Sequence, residues 1–214
     1  MKYQAVIFDL DGTLTDTLAD LADAINYAIG KFNCPAHPTE AYKQMIGSGL
    51  RNAISKALGS DKDHLIDEGL VIMKERYSQT CLDKTVLYDG ISETVSKLHD
   101  MGIKMAVLTN KDQELARKIV SHFFEDDTFK CVIGAKNGYP VKPAPDKTFE
   151  VLGTLSAKPA QTIFVGDSGV DIQTAKAAGV FSVGVSWGLR GAGELKEHNA
   201  DKIIDAAAEL LMFF

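Results

Sequence analysis

Two pairs of aspartates stand directly after apolar segments of this 214-residue chain. Asp9 and Asp11 follow the apolar run Val6–Phe8. Asp167 and Asp171 follow a second apolar run in the same way. In an extended segment, residues two apart point to the same side, so Asp9 and Asp11 would face one site. Carboxylates so close together need a cation, or one of them must hold a proton. Mg²⁺ is the natural partner because it is a hard ion that prefers oxygen ligands.

Both pairs also have a structural interpretation that involves no ligand. An aspartate can cap the N-terminus of a helix, and acids in the first helical turn complement the helix dipole. Capping accounts for one member of the first pair, but it does not account for the whole string Asp9–Thr13. Gly12 in this string would let the backbone approach a ligand closely, and Gly166 before the second pair indicates close backbone packing.

Two further strings carry groups that could bind an anion. Thr109 and Asn110 close another apolar run, where a hydroxyl and an amide can hydrogen-bond phosphate oxygens at the start of the next helix. Thr-Asn is also a common helix cap, which is the alternative interpretation of this string. Lys142 precedes a turn stiffened by Pro143 and Pro145, which would hold its ammonium in one place. Taken alone, Lys142 is most simply interpreted as an exposed lysine.

The elements that would position these residues alternate between strands and helices. Five short apolar runs are predicted as strands: Ala5–Phe8, Ile103–Leu108, Lys130–Ile133, Thr162–Val165 and Phe181–Val185. They are mostly continuous rather than alternating, which is typical of strands buried on both faces of a parallel sheet. Helices are predicted over Ile91–Met101, Glu114–Phe124, Asp146–Leu152, Val170–Ala178 and the C-terminal Asp205–Phe214. This alternation predicts a doubly wound, Rossmann-like α/β domain with a parallel sheet.

Residues 16–84 break this alternation. Apolar residues recur at helical spacing between Leu18 and Ile29 and again further along, and no strand-like run is present. We therefore predict two domains, an α/β core of residues 1–15 and 85–214 and an inserted helical domain between them.

The composition limits the classes of function. The 23 Lys and Arg against 29 Asp and Glu give a net charge of −6, which argues against general binding to nucleic acids or anionic membranes. A small phosphorylated ligand held by a few placed cations is compatible with this charge. Three cysteines without a CxxC pair argue against a zinc site or a disulfide framework and for reduced thiols in a cytoplasmic protein. No run approaches the ~18 apolar residues of a membrane span.

The four polar strings, in this order, resemble the haloacid dehalogenase (HAD) superfamily of phosphatases. The match consists of Asp-Leu-Asp-Gly-Thr at 9–13, an apolar strand with Thr109, Lys142-Pro143, and Gly-Asp-Ser-Gly-Val-Asp at 166–171. The strings are spread over the whole chain, and the helical insert, residues 16–84, resembles the small α-helical cap of this family.

The resemblance implies roles for the four aspartates. Asp9 would be the nucleophile that attacks phosphorus and forms an aspartyl-phosphate. Asp11 would protonate the leaving alkoxide and then act as base for the hydrolytic water. Mg²⁺ would be bound by the Asp9 carboxylate, the Asp11 backbone carbonyl and Asp167, with waters completing the octahedron. Asp171 would orient a water or Lys142.

The resemblance also implies which groups would hold the phosphoryl oxygens. These are the Thr109 side chain, the Asn110 backbone, Lys142 and the N–H of Gly12. A phosphoryl group spreads negative charge over its oxygens in the transition state, and a carboxylate cannot easily approach that anion unless cations screen it. The chain has no GxxxxGK[ST] string, which disfavours a P-loop ATPase or kinase.

Three strings resemble the phosphoglycolate phosphatase branch of the superfamily: Thr17–Asn26, Ile46–Arg51 and Ser186–Gly191. Arg51 could bind a substrate carboxylate with two hydrogen bonds, or it could be a surface charge at a helix entry. The loop that contains Trp187 and Arg190 could line the site, or it could be a mobile surface loop.

The resemblance therefore predicts a Mg²⁺-dependent phosphatase for small phosphorylated metabolites, with 2-phosphoglycolate as the first candidate, present as a monomer or a dimer. A sugar-phosphate phosphatase or a phosphomutase on the same scaffold is the alternative. Mutases of this cap type often carry a histidine in the first cap helix, and Thr17–Ile29 contains none, so hydrolysis is favoured. A non-catalytic protein that kept the fold is disfavoured because every proposed catalytic position is filled.

Overall fold

The structure, a computed structural model, describes residues 3–47 and 49–214. The chain divides into two compact units. The first contains the chain up to Thr15 together with Leu87–Phe214, and the second contains Asp16–Val86. The role of the second unit as a cap stays a prediction.

The first unit is built on a six-stranded parallel sheet. The strands of the described chain are β1 (Ala5–Phe8), β2 (Thr15–Asp16), β3 (Val86–Leu87), β4 (Lys104–Asp112), β5 (Cys131–Ala135), β6 (Thr162–Gly166), β7 (Phe181–Val185) and β8 (Lys202–Ile204). The sheet has the order β5-β4-β1-β6-β7-β8 with every neighbouring pair parallel, while β2 and β3 pair separately. The order reverses direction at β1, as in a doubly wound sheet, so the predicted fold class is confirmed.

Helices connect the strands of the sheet. The α-helices of the described chain are α1 (Leu18–Gly30), α2 (Leu50–Leu58), α3 (Ile66–Thr80), α4 (Ile91–Asp100), α5 (Gln113–Phe123), α6 (Asp146–Leu155), α7 (Gly169–Ala177) and α8 (Gly191–Glu197). Short 3₁₀ segments are Thr39–Gln44, Ser60–Leu65, Pro159–Gln161 and Ala207–Phe213. Within residues 3–47 and 49–214, none of the helices is both long and apolar enough to cross a membrane.

The largest differences between the sequence-based assignment and the structure lie near the C-terminus. The stretch Asp205–Phe214 is not an α-helix but a 3₁₀ segment at Ala207–Phe213. The prediction also omits α8 and β8, which have seven and three residues. Elements this short span too few turns or alternations for a periodic pattern to develop in the sequence.

Burial on both faces explains why the strands are continuous apolar runs. Every residue of β1 is 0 % exposed. One apolar cluster joins Ile7, Leu108 and Phe164 of the three central strands to Val151 and Leu155 of α6. Close packing of this kind fixes β1, β4 and β6 side by side, and the residues at their C-terminal ends are held with them.

The second unit has its own core, formed by α1, α2 and α3. Leu21 of α1, Ile54 of α2 and Met73 of α3 are buried in it. Asp20, near the start of α1, is also buried, and its carboxylate accepts hydrogen bonds from the N–H and the hydroxyl of Thr85 at 2.9 and 2.8 Å. This aspartate ties the two ends of the unit together, which is a structural task.

Candidate active site

The C-terminal ends of β1, β4 and β6 bring three of the predicted residues to one edge of the sheet. Asp9 follows β1, Thr109 lies in the last part of β4, and Asp167 follows β6. All three are buried, with 7 %, 4 % and 3 % of the residue exposed. The strand order reverses at this edge, which is where open α/β sheets bind ligands.

Lys142 joins this group from the connection between β5 and α6. Its Nζ lies 2.8 Å from Asp9 Oδ1 and 2.6 Å from Asp171 Oδ1. The side chain of Lys142 is 3 % exposed and that of Asp171 is 0 % exposed. The interpretation of Lys142 as an exposed lysine is therefore wrong, because its ammonium lies buried between two carboxylates.

Asn110 holds the backbone of Lys142. The Asn110 Nδ2 donates to the carbonyl oxygen of Lys142 at 3.0 Å, and the N–H of Lys142 donates to Asn110 Oδ1 at 2.9 Å. The side-chain amide of Asn110 therefore positions the chain at Lys142, and the expectation that it also binds phosphate, through its second N–H, stays a prediction. The part of the prediction that concerns the Asn110 backbone is not affected.

Asp171 serves the helix and the site at once. Its Oδ2 accepts from the N–H and the hydroxyl of Ser168 at 3.1 and 2.6 Å, which completes a capping box at the start of α7. Its Oδ1 accepts from Lys142. A Cβ at Gly166 would lie 2.3 Å from the Cβ of Asp171, so only glycine lets β6 pass this close to the carboxylate.

Asp167 is held by the loop that follows β7. Its Oδ2 accepts from the N–H of Leu189 at 2.8 Å, and a Cβ at Gly188 would lie 2.2 Å from the Cβ of Asp167. The indole Nε1 of Trp187 donates to the carbonyl oxygen of Thr13 at 3.1 Å. Of the two interpretations of this loop, the structure supports the one in which it lines the site.

Gly12 forms a turn and does not offer its N–H to a ligand. Its φ is +86°, a conformation that favours glycine, and a Cβ there would lie 2.4 Å from Asp167 Oδ2. Its N–H donates to the carbonyl oxygen of Thr15 at 2.9 Å. The prediction that this N–H binds a phosphoryl oxygen is therefore wrong, because the turn of the chain already uses it.

Lys111 is a site residue that the sequence analysis did not assign. Its Nζ lies 2.9 and 3.1 Å from the two carboxylate oxygens of Asp11, and its side chain is 1 % exposed. Its N–H donates to the hydroxyl of Thr109 at 3.2 Å. The alternation of strand residues was the available signal, because side chains two apart on β4 point to the same side as Thr109 does.

Burial and crowding of carboxylates shape the electrostatics of the site. Burial raises the pKa of Asp9 to about 7; the charge of Lys142 opposes this rise and the charge of Asp171 adds to it. Burial likewise raises the pKa of Asp167 well above its usual value, with contributions from Asp171 and Asp9. Burial disfavours the charge of Lys142, but Asp171 and Asp9 outweigh it and raise its pKa.

The donor set fits a hard divalent cation. Among the described residues, carboxylate oxygens of Asp9, Asp167 and Asp171 lie within 4.8 Å of one another. When all of these carboxyl groups and Asp11 are ionised, four negative charges lie near the two positive charges of Lys111 and Lys142. The excess of two negative charges and the oxygen-only donors suit Mg²⁺. Lys142 and Ser168 donate hydrogen bonds to the two carboxylate oxygens of Asp171. Asp9 and Asp167 are therefore the better candidates to bind the cation.

Arg51 lies in the second unit, in the first turn of α2. Its guanidinium pairs with Asp67, and the Arg51 side chain is 60 % exposed. Its role in binding a substrate carboxylate stays a prediction. Ser48, in the string that resembles the phosphoglycolate phosphatase branch, lies outside the described residues.

Comparison with known proteins agrees with the four-string resemblance. Residues 6–185 match the sequence profile of the haloacid dehalogenase-like hydrolase family. A phosphoglycolate phosphatase of Pseudomonas syringae pv. syringae is 33 % identical over 212 residues, which cover 96 % of this chain and 78 % of the relative. A phosphoglycolate phosphatase of Haemophilus influenzae (strain 86-028NP) is 33 % identical over 218 residues, which cover 98 % of this chain and 97 % of the relative.

A solved structure is similar as well. It is the crystal structure of a Lactobacillus delbrueckii subsp. bulgaricus protein provisionally named phosphoglycolate phosphatase. The two structures have a TM-score of 0.92 at 33 % identity, and the match covers 98 % of this chain and 97 % of that one. The resemblance to the superfamily, and to its phosphoglycolate phosphatase branch, is thereby confirmed. The chain belongs to the haloacid dehalogenase-like hydrolase family.

Proposed function

We propose that this protein is a Mg²⁺-dependent phosphatase that hydrolyses small phosphomonoesters through an aspartyl-phosphate, with 2-phosphoglycolate as the first candidate substrate. The observation that carries the proposal is the buried Asp9 carboxylate, paired with Lys142 at 2.8 Å at the edge where the strand order reverses. A nucleophile in this position can meet a phosphoryl group whose charge is offset by neighbouring cations.

The first step forms a covalent intermediate on Asp9. An oxygen of the Asp9 carboxylate attacks phosphorus, the bond from phosphorus to the ester oxygen breaks, and the leaving alkoxide takes a proton from Asp11. Lys142 and the hydroxyl of Thr109 hold phosphoryl oxygens during this transfer. Both are buried, so their interactions with the developing charge are less screened than they would be in water.

The second step releases phosphate. Asp11 takes a proton from a water molecule, whose oxygen attacks the phosphorus of the aspartyl-phosphate. The bond from phosphorus to the Asp9 oxygen breaks, which yields inorganic phosphate and the free carboxylate. The same residue serves as acid and then as base, so the proton balance is restored after one turnover.

Asp9, Asp167 and the backbone carbonyl of Asp11 would hold Mg²⁺. When bound, this ion would offset the carboxylates and polarise the phosphoryl oxygens. Asp171 keeps Lys142 in position through its 2.6 Å contact. The loop after β7 fixes Asp167 by the N–H of Leu189.

The relatives support 2-phosphoglycolate as the first candidate, since two proteins of that name cover nearly the whole chain. The absence of histidine from α1 favours hydrolysis over a phosphomutase reaction. A small phosphorylated metabolite is thus the expected ligand, and other phosphomonoesters belong in the same assay.

The test is a panel of phosphorylated metabolites, assayed for phosphate release with Mg²⁺ and with EDTA. We expect turnover with Mg²⁺ alone, strongest with 2-phosphoglycolate. Asp9→Asn should reduce turnover by at least about a thousandfold while the fold is retained, because the amide keeps the shape and removes the nucleophile. Asp23→Asn, at an exposed aspartate of α1, is the matched control. Activity that is independent of Mg²⁺, or that survives in Asp9→Asn, would contradict the proposal.

A further inference from the structure

β5 is the last strand on one side of the six-stranded sheet, and its outer edge takes no part in the proposed reaction. We propose that this edge binds an extended acidic segment of a partner protein, which adds to the sheet as a further strand. Main-chain hydrogen bonds give such an added strand its affinity, and side chains beside the edge select its sequence. None of the described residues that line the edge belongs to the candidate active site, so the surface serves the protein whichever ester it hydrolyses.

The hydrogen bonds of β5 show which of its backbone groups face outwards. Gln113, directly after β4, donates from its side-chain amide to the carbonyl oxygen of Val132 at 2.9 Å and accepts from the N–H of Gly134 at 3.0 Å. The even-numbered residues therefore direct their backbone groups towards β4. Because successive residues of a strand alternate, Cys131 and Ile133 direct theirs to the outer side. The described chain places no strand on that side, so these groups can pair with a strand from another molecule.

A groove of about 500 Å³ runs along this outer edge. The chain passes from β4 outwards to β5 and back to β6, and right-handed crossovers place α5 and α6 on opposite faces of the sheet. Each helix lines the groove with residues at helical spacing, namely Gln113, Arg117 and Ser121 on α5 and Lys147, Glu150 and Thr154 on α6. The edge of β5 thus lies between two polar helix faces, and an extended chain in the groove would contact both.

The groove is positively charged although the chain as a whole is negative. Four cationic side chains, Arg117, Lys130, Lys136 and Lys147, line it with one carboxylate, Glu150, which gives a local charge of +3 in a chain of charge −6. Lys147 already pairs with Glu150 at 2.6 Å. No carboxylate of the described residues pairs with Lys130 or Lys136, and both lysines are exposed. Charge complementarity therefore favours a partner segment that carries carboxylates.

The positions of Lys130 and Lys136 favour an acidic segment over a second copy of this chain. The two lysines stand directly before and directly after β5, which places them about 20 Å apart at ~3.3 Å per strand residue. A segment of seven residues with acidic side chains spans this distance and brings a carboxylate to each ammonium. A second copy of β5 would instead bring lysines against lysines, and like charges opposite each other destabilise a strand pair.

The experiment measures by calorimetry how the whole protein binds an eight-residue peptide of alternating glutamate and valine, with both ends blocked. We expect binding that weakens with added salt. Combining Lys130→Glu with Lys136→Glu should weaken it at least about fourfold, because each reversal removes an attraction and adds a repulsion of similar size. The matched control combines Lys97→Glu with Lys196→Glu, at exposed lysines of α4 and α8, and should leave the affinity unchanged. A peptide of alternating lysine and valine should not bind.

Two N-methylated peptides distinguish an added strand from simple charge attraction. One is methylated at its glutamate amides and the other at its valine amides. An added strand pairs with β5 through only one of these sets, so one peptide should lose binding and the other should keep it. Any other pattern, no measurable binding of the parent peptide, or an affinity that the double reversal leaves unchanged overturns the inference and leaves the two lysines as charges that keep β5 unpaired. A protein dimer that the peptide dissociates would assign the edge to a second copy and overturn it as well.

Discussion

Replacing Lys142 with methionine removes the ammonium between Asp9 and Asp171 and keeps most of the length and volume of the side chain. The two contacts that disappear are 2.8 and 2.6 Å long. The side chains involved are buried, with 3 % of Lys142, 10 % of Asp9 and 0 % of Asp171 exposed. The variant therefore leaves two neighbouring buried carboxyl groups without their cation.

The expected loss of stability is large. Removing one partner of a buried ion pair costs about 3–5 kcal/mol, because the remaining charge stays desolvated. For a chain of this size, 1 kcal/mol corresponds to about 2–4 °C in Tm. We therefore expect Lys142→Met to lower the Tm by about 6–20 °C in Mg²⁺-free buffer at pH 8.

Acid should reverse part of this loss. Burial raises the pKa of Asp9 to about 7 even with Lys142 in place, and the charge of Lys142 lowers that pKa. In the variant the pKa is therefore higher still. A carboxyl whose folded pKa is raised binds more protons in the native state, so its contribution to stability improves as pH falls through the folded value. The difference in Tm between variant and parent should thus shrink between pH 8 and pH 5.

The measurement is thermal and urea unfolding with EDTA at both pH values. Lys147→Met is the matched control, because Lys147 makes an equally short contact of 2.6 Å with Glu150 in the same unit, at a more exposed position. Its loss should stay within about 1 kcal/mol. A Lys142→Met variant no less stable than the control at pH 8, or one whose deficit grows in acid, would refute this reasoning.

Two further predictions concern the metal site. Mg²⁺ affinity should fall about tenfold per pH unit below pH 7 for each proton that the ion displaces. The reason is that protons compete with Mg²⁺ for Asp9, because burial raises the pKa of this residue to about 7. Calorimetry in two buffers counts the displaced protons, and an affinity independent of pH would contradict the prediction. Gly12→Ala should weaken Mg²⁺ binding, because its Cβ would lie 2.4 Å from Asp167 Oδ2. Gly102→Ala, at a φ of +73° in open space, should cost similar backbone strain but keep the affinity.

The strand–helix alternation was readable in the sequence because burial on both faces imposes continuous apolar runs on parallel strands. Neighbouring parallel strands end on one side of a sheet, so the positions of Asp9, Thr109 and Asp167 followed once these runs were assigned. The short elements α8 and β8 could not be predicted, since they span too few residues to show a period.

Contacts between distant parts of the chain could not be predicted in the same way. Asn110 binds the backbone of Lys142, 32 residues away. The turn at Gly12 uses the N–H that was expected to face a phosphoryl group. In each case a polar group that the sequence analysis expected near a ligand makes a hydrogen bond within the protein.

The sequence by itself determined the fold class, the four chemical strings and the family, because residue types and short-range spacing carry that information. Only the tertiary structure decided which charges meet. It buried Lys142 between Asp9 and Asp171, and it paired Lys111 with Asp11 across 100 residues of chain. The physical reason is that an ion pair depends on distance and burial, and packing of the sheet sets both.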